Sequence, residues 1–169
     1  MSANGTKIEN IYVLESADDA IEFFGGTVNV TNLLAVNPDD DMFDFTQGYC
    51  GTLKNCYGVW ESDYTSTEAD PRGIEADGNM DGLYPDHLRQ SDFKVENMTI
   101  VNNAANTADN VDRMQDVIKI RRGAKATITN ALVKGTGGAI DLVDMKDSKG
   151  AGNIESSINI TSTFKSHRI

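Results

Sequence analysis

Val28-Asn29-Val30-Thr31, then Asn32, then Leu33-Leu34-Ala35-Val36, the turn Pro38-Asp39-Asp40-Asp41 and Phe43-Asp44-Phe45 form the stretch whose reading decides the fold of this 169-residue chain. Three short strands follow one another, separated first by a single asparagine and then by a proline–aspartate turn. Their alternation sends every second side chain to one face, as in a strand with one buried side. A one-residue corner needs φ > 0, which asparagine tolerates better than most residues that carry a Cβ.

The phrase recurs. Ala20-Ile21-Glu22-Phe23, Met42-Phe43-Asp44-Phe45, Gly73-Ile74-Glu75-Ala76, Val117-Ile118-Lys119-Ile120 and Ala139-Ile140-Asp141-Leu142 all read apolar, charged, apolar, and their second residues are 22, 31, 44 and 22 positions apart. Asn10, Asn32, Asn55, Asn97 and Asn130 form a second column with intervals of 22, 23, 42 and 33. From each asparagine to the next short strand the distance is 11, 11, 19, 21 and 10. The shortest interval is one repeat; the longer ones carry insertions, at residues 62–72, 78–90 and 103–114.

Repeats of about 22 residues fit a leucine-rich repeat or a parallel β-helix. The leucine-rich pattern fails, because the inward positions are Ile, Val, Phe, Ala and Met and no helix follows the strand. The expected fold is all-β: a parallel β-helix, a single-stranded solenoid of about five to six coils, with residues 1–169 as one domain. Its inward stacks should be Ile21, Phe43, Ile74, Ile118, Ile140 and Phe23, Phe45, Ala76, Ile120, Leu142. Stacked asparagine corners should also pass side-chain hydrogen bonds from coil to coil.

Composition narrows the function. Fifteen Lys and Arg against 26 Asp and Glu leave a formal charge of −11, which disfavours nucleic acid or an anionic membrane as partner. No apolar run approaches the roughly 20 residues of a membrane span. His87 and His167 are isolated, so a histidine triad or a zinc site lacks parts. No phosphate loop, dinucleotide fingerprint, G-x-S-x-G or C-x-x-C occurs. Cys50 and Cys56 enclose five residues. A bridge between them is geometrically open, but Cys56 falls in an apolar column and reads as a small buried thiol.

The asparagine corners and short stacked strands resemble the right-handed parallel β-helix of pectate-lyase-like proteins. Residues 18–30 (DDAIEFFGGTVNV), Phe43-Asp44-Phe45-Thr46-Gln47-Gly48-Tyr49, Arg72-Gly73-Ile74-Glu75-Ala76-Asp77 and Ile118-Lys119-Ile120-Arg121-Arg122-Gly123 are similar to phrases of a group of uncharacterised secreted or cell-surface bacterial proteins with that fold. The resemblance spans about residues 8–142 and implies an extracellular or envelope setting, with no activity to carry to a residue. Right-handedness also follows the general rule for parallel crossovers. Lys7-Ile8-Glu9 reads as the second strand of a turn whose first strand is missing. The chain is therefore expected to be the C-terminal part of a longer surface protein or an open-ended stack, with self-association through that N-terminal end. Ser157-Ile158-Asn159-Ile160 and the basic tail Lys165-Ser166-His167-Arg168 are expected at the other end.

The chemistry should lie on the outward side of the short strands, where Glu22, Asp44, Glu75, Lys119 and Asp141 share one column and Phe24, Thr46, Asp77, Arg121 and Val143 another. Stacked coils lie about 4.8 Å apart. One reading makes this a ladder of ion pairs, Glu75 with Lys119 and Asp77 with Arg121. The other needs a cation or a raised pKa to relieve the acidic column. Paired carboxylates suit glycoside hydrolysis. Lyase chemistry on this fold generally joins calcium-bound carboxylates to a basic residue, which by analogy would be Lys119 or Arg121. Calcium has a further candidate site in Asp77, Asn79 and Asp81, whose D-x-N-x-D-G spacing lacks the twelfth-position Glu of an EF-hand. Asp18-Asp19 and Asp39-Asp40-Asp41, at equivalent turns one coil apart, offer another. Tyr57, Trp60, Tyr64 and Tyr84, in or beside inserted loops, are candidates for stacking on sugar rings. The expected function is a non-catalytic extracellular module that binds carbohydrate or another extracellular ligand, or serves a structural or adhesive part in a surface protein. The alternative is a polysaccharide lyase or glycoside hydrolase acting on the acidic face. Inserted loops walling a groove around Glu75, together with a strongly shifted carboxylate, would favour catalysis; charges paired with their neighbours and no groove would favour a scaffold.

Overall fold

The computed structural model describes residues 5–79, 89–105, 114–146, 150, 154–161 and 165–167. Two parallel sheets share the chain. The larger is built from β1 (Lys7–Leu14), β3 (Asn29–Val36), β5 (Thr52–Trp60), β7 (Asp92–Asn102), β9 (Lys125–Lys134) and β11 (Ser157–Thr161), in that order, with β12 (Lys165–His167) also on β9. The smaller holds β2 (Glu22–Phe24), β4 (Phe43–Thr46), β6 (Ile74–Asp77), β8 (Asp116–Arg121) and β10 (Asp141–Asp144). From β1 to β11 each strand pairs with the next strand of its own sheet, one coil further on, so the chain winds as a parallel β-helix. Among the described residues there is no helix, and none is long and apolar enough to cross a membrane.

The asparagine column is the corner of that winding. Asn10, Asn32, Asn55, Asn97 and Asn130 all have φ between 55° and 59°, so two of the three expected strands per coil run together as one strand bent at its asparagine. Each side-chain amide donates to the asparagine of the coil before it: Asn32 to Asn10 (2.8 Å), Asn55 to Asn32 (3.1 Å), Asn97 to Asn55 (3.0 Å) and Asn130 to Asn97 (2.9 Å). The corner after the short strands uses paired left-handed residues, Gly25-Gly26, Gln47-Gly48 and Arg122-Gly123.

Inside, residues of equal register stack. Val30, Leu53, Val95 and Ile128 form one column, and Leu33, Cys56, Met98 and Ala131 another. Phe45 stacks on Phe23 and Phe93 at ring distances of 5.7 and 4.0 Å. Burying each such side chain contributes about 1.5–3 kcal/mol. Cys50 and Cys56 are unbridged, and burial pushes the Cys56 thiol up to about 11. On the outside of β1, Ile11, Tyr12 and Leu14 are exposed.

The last coil departs from the expected register. Val143, not Ile140, pairs with Ile118, and Asp144 pairs with Lys119. Ile140 and Leu142 are consequently 51% and 39% exposed. The cause is the glycine-rich turn after β9, tied back by Gly137 N–H to the Asn102 carbonyl (2.9 Å) and by the Asn102 amide to the Gly138 carbonyl (3.1 Å). It consumes three extra residues, and an odd shift exchanges inward and outward side chains.

Candidate functional site: an acidic groove on the short-strand sheet

Alternation along β2, β4 and β6 turns Phe23, Phe45 and Ala76 inward and Glu22, Asp44 and Glu75 outward, and the register aligns these three carboxylates. Just before these strands the turns stack as well. Asp41 N–H donates to the Asp19 carboxylate (2.9 Å), and Ala20 N–H to the Asp41 carbonyl (2.9 Å). Turn and strand acids thereby converge on a groove of about 250 Å³, lined by Asp18, Asp19, Glu22, Asp40, Asp44 and Glu75, with Asp77, Phe24 and Thr46.

Two charged columns flank the inward residues of the short strands. Two positions ahead of Ile21, Phe43, Ile74, Ile118 and Val143 stand Asp19, Asp41, Arg72, Asp116 and Asp141; one position after stand Glu22, Asp44, Glu75, Lys119 and Asp144. In the first two coils every one of these positions is a carboxylate. In the later coils cations are interleaved. Arg72 holds Glu75, Asp70 (2.9 Å) and Asp116 (3.3 Å). Arg121 holds Glu75 and Asp77 (2.8 Å), Arg122 reaches Asp77 (3.0 Å), and Lys119 holds Asp144.

The expected Asp77–Arg121 pair is therefore present. The expected Glu75–Lys119 pair is not: the shifted last coil brings Asp144 beside Lys119, and Glu75 turns to Arg72 and Arg121. Arg72 and Asp144 were absent from the expected site, and Asp41 was expected only as part of the aspartate turns. A count of two residues back from each inward apolar position would have found Arg72 and put Asp41 in the same column. Asp144 needed the register of the last coil.

The unneutralised half shows the electrostatic result. Asp41 and Asp44 are 3% and 8% exposed, and one oxygen of each, with one of Asp40, has no hydrogen-bond partner among the described residues. Burial, then Glu75 and the neighbouring aspartates, hold the Asp41 and Asp44 carboxyls well above the usual range. Burial, with Asp40, Glu22 and Asp18, lifts Asp19 to about 7 against the Asp41 amide. Burial, with Asp70, Glu68 and Asp18, lifts Asp40 to about 6. Glu75 is raised too, burial outweighing its arginines. In the neutralised half Asp144 lies below its ordinary value, since Lys119 and the Lys146 amide outweigh burial.

Oxygen atoms of Asp18, Asp19 and Asp40, of Asp19, Glu22 and Asp44, and of Asp41, Asp44 and Glu75 lie within 4.8 Å of one another, a chain of three overlapping sets able to ligand a hard cation. Asp116, Asp141 and Asp144 form a fourth set, but Arg72, Lys119 and Lys146 already face it. In the other calcium candidate, Asp77 is engaged by Arg121 and Arg122, Asn79 is buried with both side-chain polar atoms unpartnered among the described residues, and Asp81 lies outside them. Of the aromatic candidates, Trp60 is fully buried and donates to the Pro38 carbonyl (2.9 Å). Tyr57 is exposed on the larger sheet, Tyr64 leans on Trp60 at a ring distance of 5.6 Å, and Tyr84 lies outside the described residues.

A family model described as a pectate-lyase like beta helix domain matches residues 2–167. Neither a curated protein nor a solved structure matches the chain. The chain belongs to the pectate-lyase-like β-helix family.

Proposed function

We propose that this pectate-lyase-like β-helix is an extracellular glycan-recognition module whose working surface is the acidic groove, and that a hard divalent cation, calcium first, joins groove and glycan. The observation that carries the reading is that buried carboxylate oxygens on Asp40, Asp41 and Asp44 have no hydrogen-bond partner among the described residues. Leaving such groups unpaired is costly, and the oxygen-only donor set suits calcium. Asp19, Glu22 and Asp44 would hold it, with Asp41 beside Asp44; bound there, it supplies positive charge to a face that otherwise repels a uronate or sulfated chain. The groove acids are better equipped than Asp77, Asn79 and Asp81, because the Asp77 oxygens are already spent on guanidinium groups.

Thermal melting at pH 8 with calcium and with chelator tests the metal. Saturation at 100 times the dissociation constant adds about 2.7 kcal/mol, a shift of about 5–10 °C for a chain of this size. An unchanged melt removes the metal. A panel of acidic and neutral polysaccharides, scored for binding and for cleavage, tests the ligand.

A second reading, glycoside hydrolysis, is favoured by one observation: burial and Glu75 hold the Asp44 carboxyl well above the usual carboxylate range, while Glu75 itself faces Arg72 and Arg121. Unequal carboxyl environments are the arrangement in which one acid donates to a leaving oxygen while the other stays charged. Lyase chemistry is less well served, because Lys119 and Arg121 are fastened in buried ion pairs and arginine does not give up its proton. New reducing ends without an unsaturated product would mark hydrolysis; binding without cleavage supports the module.

A further inference from the structure

A second cavity, of about 300 Å³, opens on the other side of the stacked aspartate turns, lined by Glu15, Ala17, Asn37, Tyr64, Thr65 and Thr67 together with Ser16 and Asp39. Its outer wall is the inserted loop that follows β5, and Asp39 is the fastener of that loop. The Asp39 carboxylate accepts hydrogen bonds from the Tyr64 hydroxyl (3.1 Å), the Thr67 N–H (2.7 Å) and the Thr67 hydroxyl, and its carbonyl accepts from Ser66. Asn37 and Glu61 lock the start of the loop: Glu61 N–H donates to the Asn37 amide oxygen (2.9 Å) and the Asn37 amide donates to the Glu61 carboxylate (3.0 Å). Tyr64 is backed by Trp60. The wall is therefore held in place before any ligand arrives, which lowers the ordering cost of binding.

We infer that this cavity is a saccharide subsite, distinct from the acidic groove, that takes an uncharged, hydroxyl-rich sugar ring against Tyr64. Tyr64 lines this cavity, whereas Trp60 is fully buried in the core. The open polar groups of the lining are Glu15 and Thr65, which have no side-chain partner among the described residues, and neither Lys nor Arg lines the cavity. Such a lining accepts hydrogen bonds from hydroxyl donors and repels a carboxylate, while an aromatic face takes the apolar side of a sugar ring. No cation is needed here, which separates it from the groove. The inference rests on the glycan reading above for its ligand class alone.

The test titrates the full chain with neutral hexose oligosaccharides (gluco-, manno- and galacto-series) and with an oligogalacturonate, each in chelator and in calcium. Binding of a neutral series in chelator is expected, weakened at least tenfold by Tyr64→Ala and by Ala17→Trp, which fills the cavity from the opposite wall, and unchanged by Asp44→Asn. Amide shifts at residues 15–17 and 64–67 on titration of the unmutated chain locate the ligand without relying on either variant. No neutral binding, binding that moves other residues, or binding lost in chelator or in Asp44→Asn overturns the subsite. The oligogalacturonate in calcium reports on the groove separately, so one reading can fail while the other stands.

Discussion

The first two coils and the later coils of this β-helix occupy the same backbone positions and differ in what neutralises them. Asp19, Glu22, Asp41 and Asp44 meet one another. Glu75, Asp77, Asp116 and Asp144 meet Arg72, Lys119, Arg121 and Arg122. A solenoid repeats geometry and leaves the charge of each outward position free, so one half of a face becomes a sealed ion-pair network and the other half an open demand for positive charge. The lesson is that function in such a stack is read from where the columns break their pattern of neutralisation.

The largest effect should come from breaking the neutralised half. Arg72→Leu leaves Glu75 and Asp116 buried with one partner fewer, a loss of about 3–5 kcal/mol visible as a melting point lower by roughly 10 °C. A loss below 1 kcal/mol would show that the network is incidental.

Next in size is the dependence on pH. Asp19, Asp40, Asp41 and Asp44 have folded-state pKa values above their unfolded ones, so the folded protein holds protons that the unfolded chain has released. Without metal, their contribution is full below about pH 4 and is lost as pH rises through about 6 to 7 and beyond. Asp39 and Asp144, whose values are lowered, act oppositely, losing stability as pH falls through the carboxylate range. Calcium-free melts from pH 5 to pH 8 should fall on the order of a few kcal/mol after allowance for solvent screening, and calcium should flatten the slope. A rising or flat calcium-free profile contradicts the account.

Smaller still is Asp44→Asn. It removes an unmatched charge and should stabilise the calcium-free protein by about 1 kcal/mol at pH 8 while changing little at pH 5; destabilisation at pH 8 would mean that Asp44 has a counter-charge. The smallest effect belongs to the exposed Lys54–Glu96 pair (3.4 Å) on the larger sheet. Lys54→Ala should move stability by less than about 0.5 kcal/mol, the baseline against which the buried network is judged.

The architecture was legible because two physical constraints leave marks in the sequence: period-two alternation, and the left-handed corner that selects asparagine at Asn10, Asn32, Asn55, Asn97 and Asn130. The acidic column Glu22, Asp44, Glu75 was legible for the same reason, being fixed by register. Arg72 escaped notice because it sits at the end of an inserted loop, where composition says loop and only register says column. The Lys119–Asp144 pair was hidden by the glycine turn after β9, whose backbone path has no alternating pattern to read. Trp60 illustrates the reverse error, an aromatic beside a loop whose indole is spent on the core and on the Pro38 carbonyl.

Calorimetric titration of calcium into the full chain and into its Asp44→Asn and Asp81→Asn variants at pH 8 bears most directly on the claim that the unneutralised coils form a cation site. The account predicts saturable binding in the unmutated chain, unchanged in Asp81→Asn and lost or weakened at least tenfold in Asp44→Asn. Equal binding by the Asp44→Asn variant, or no heat of binding in any of the three, would contradict it.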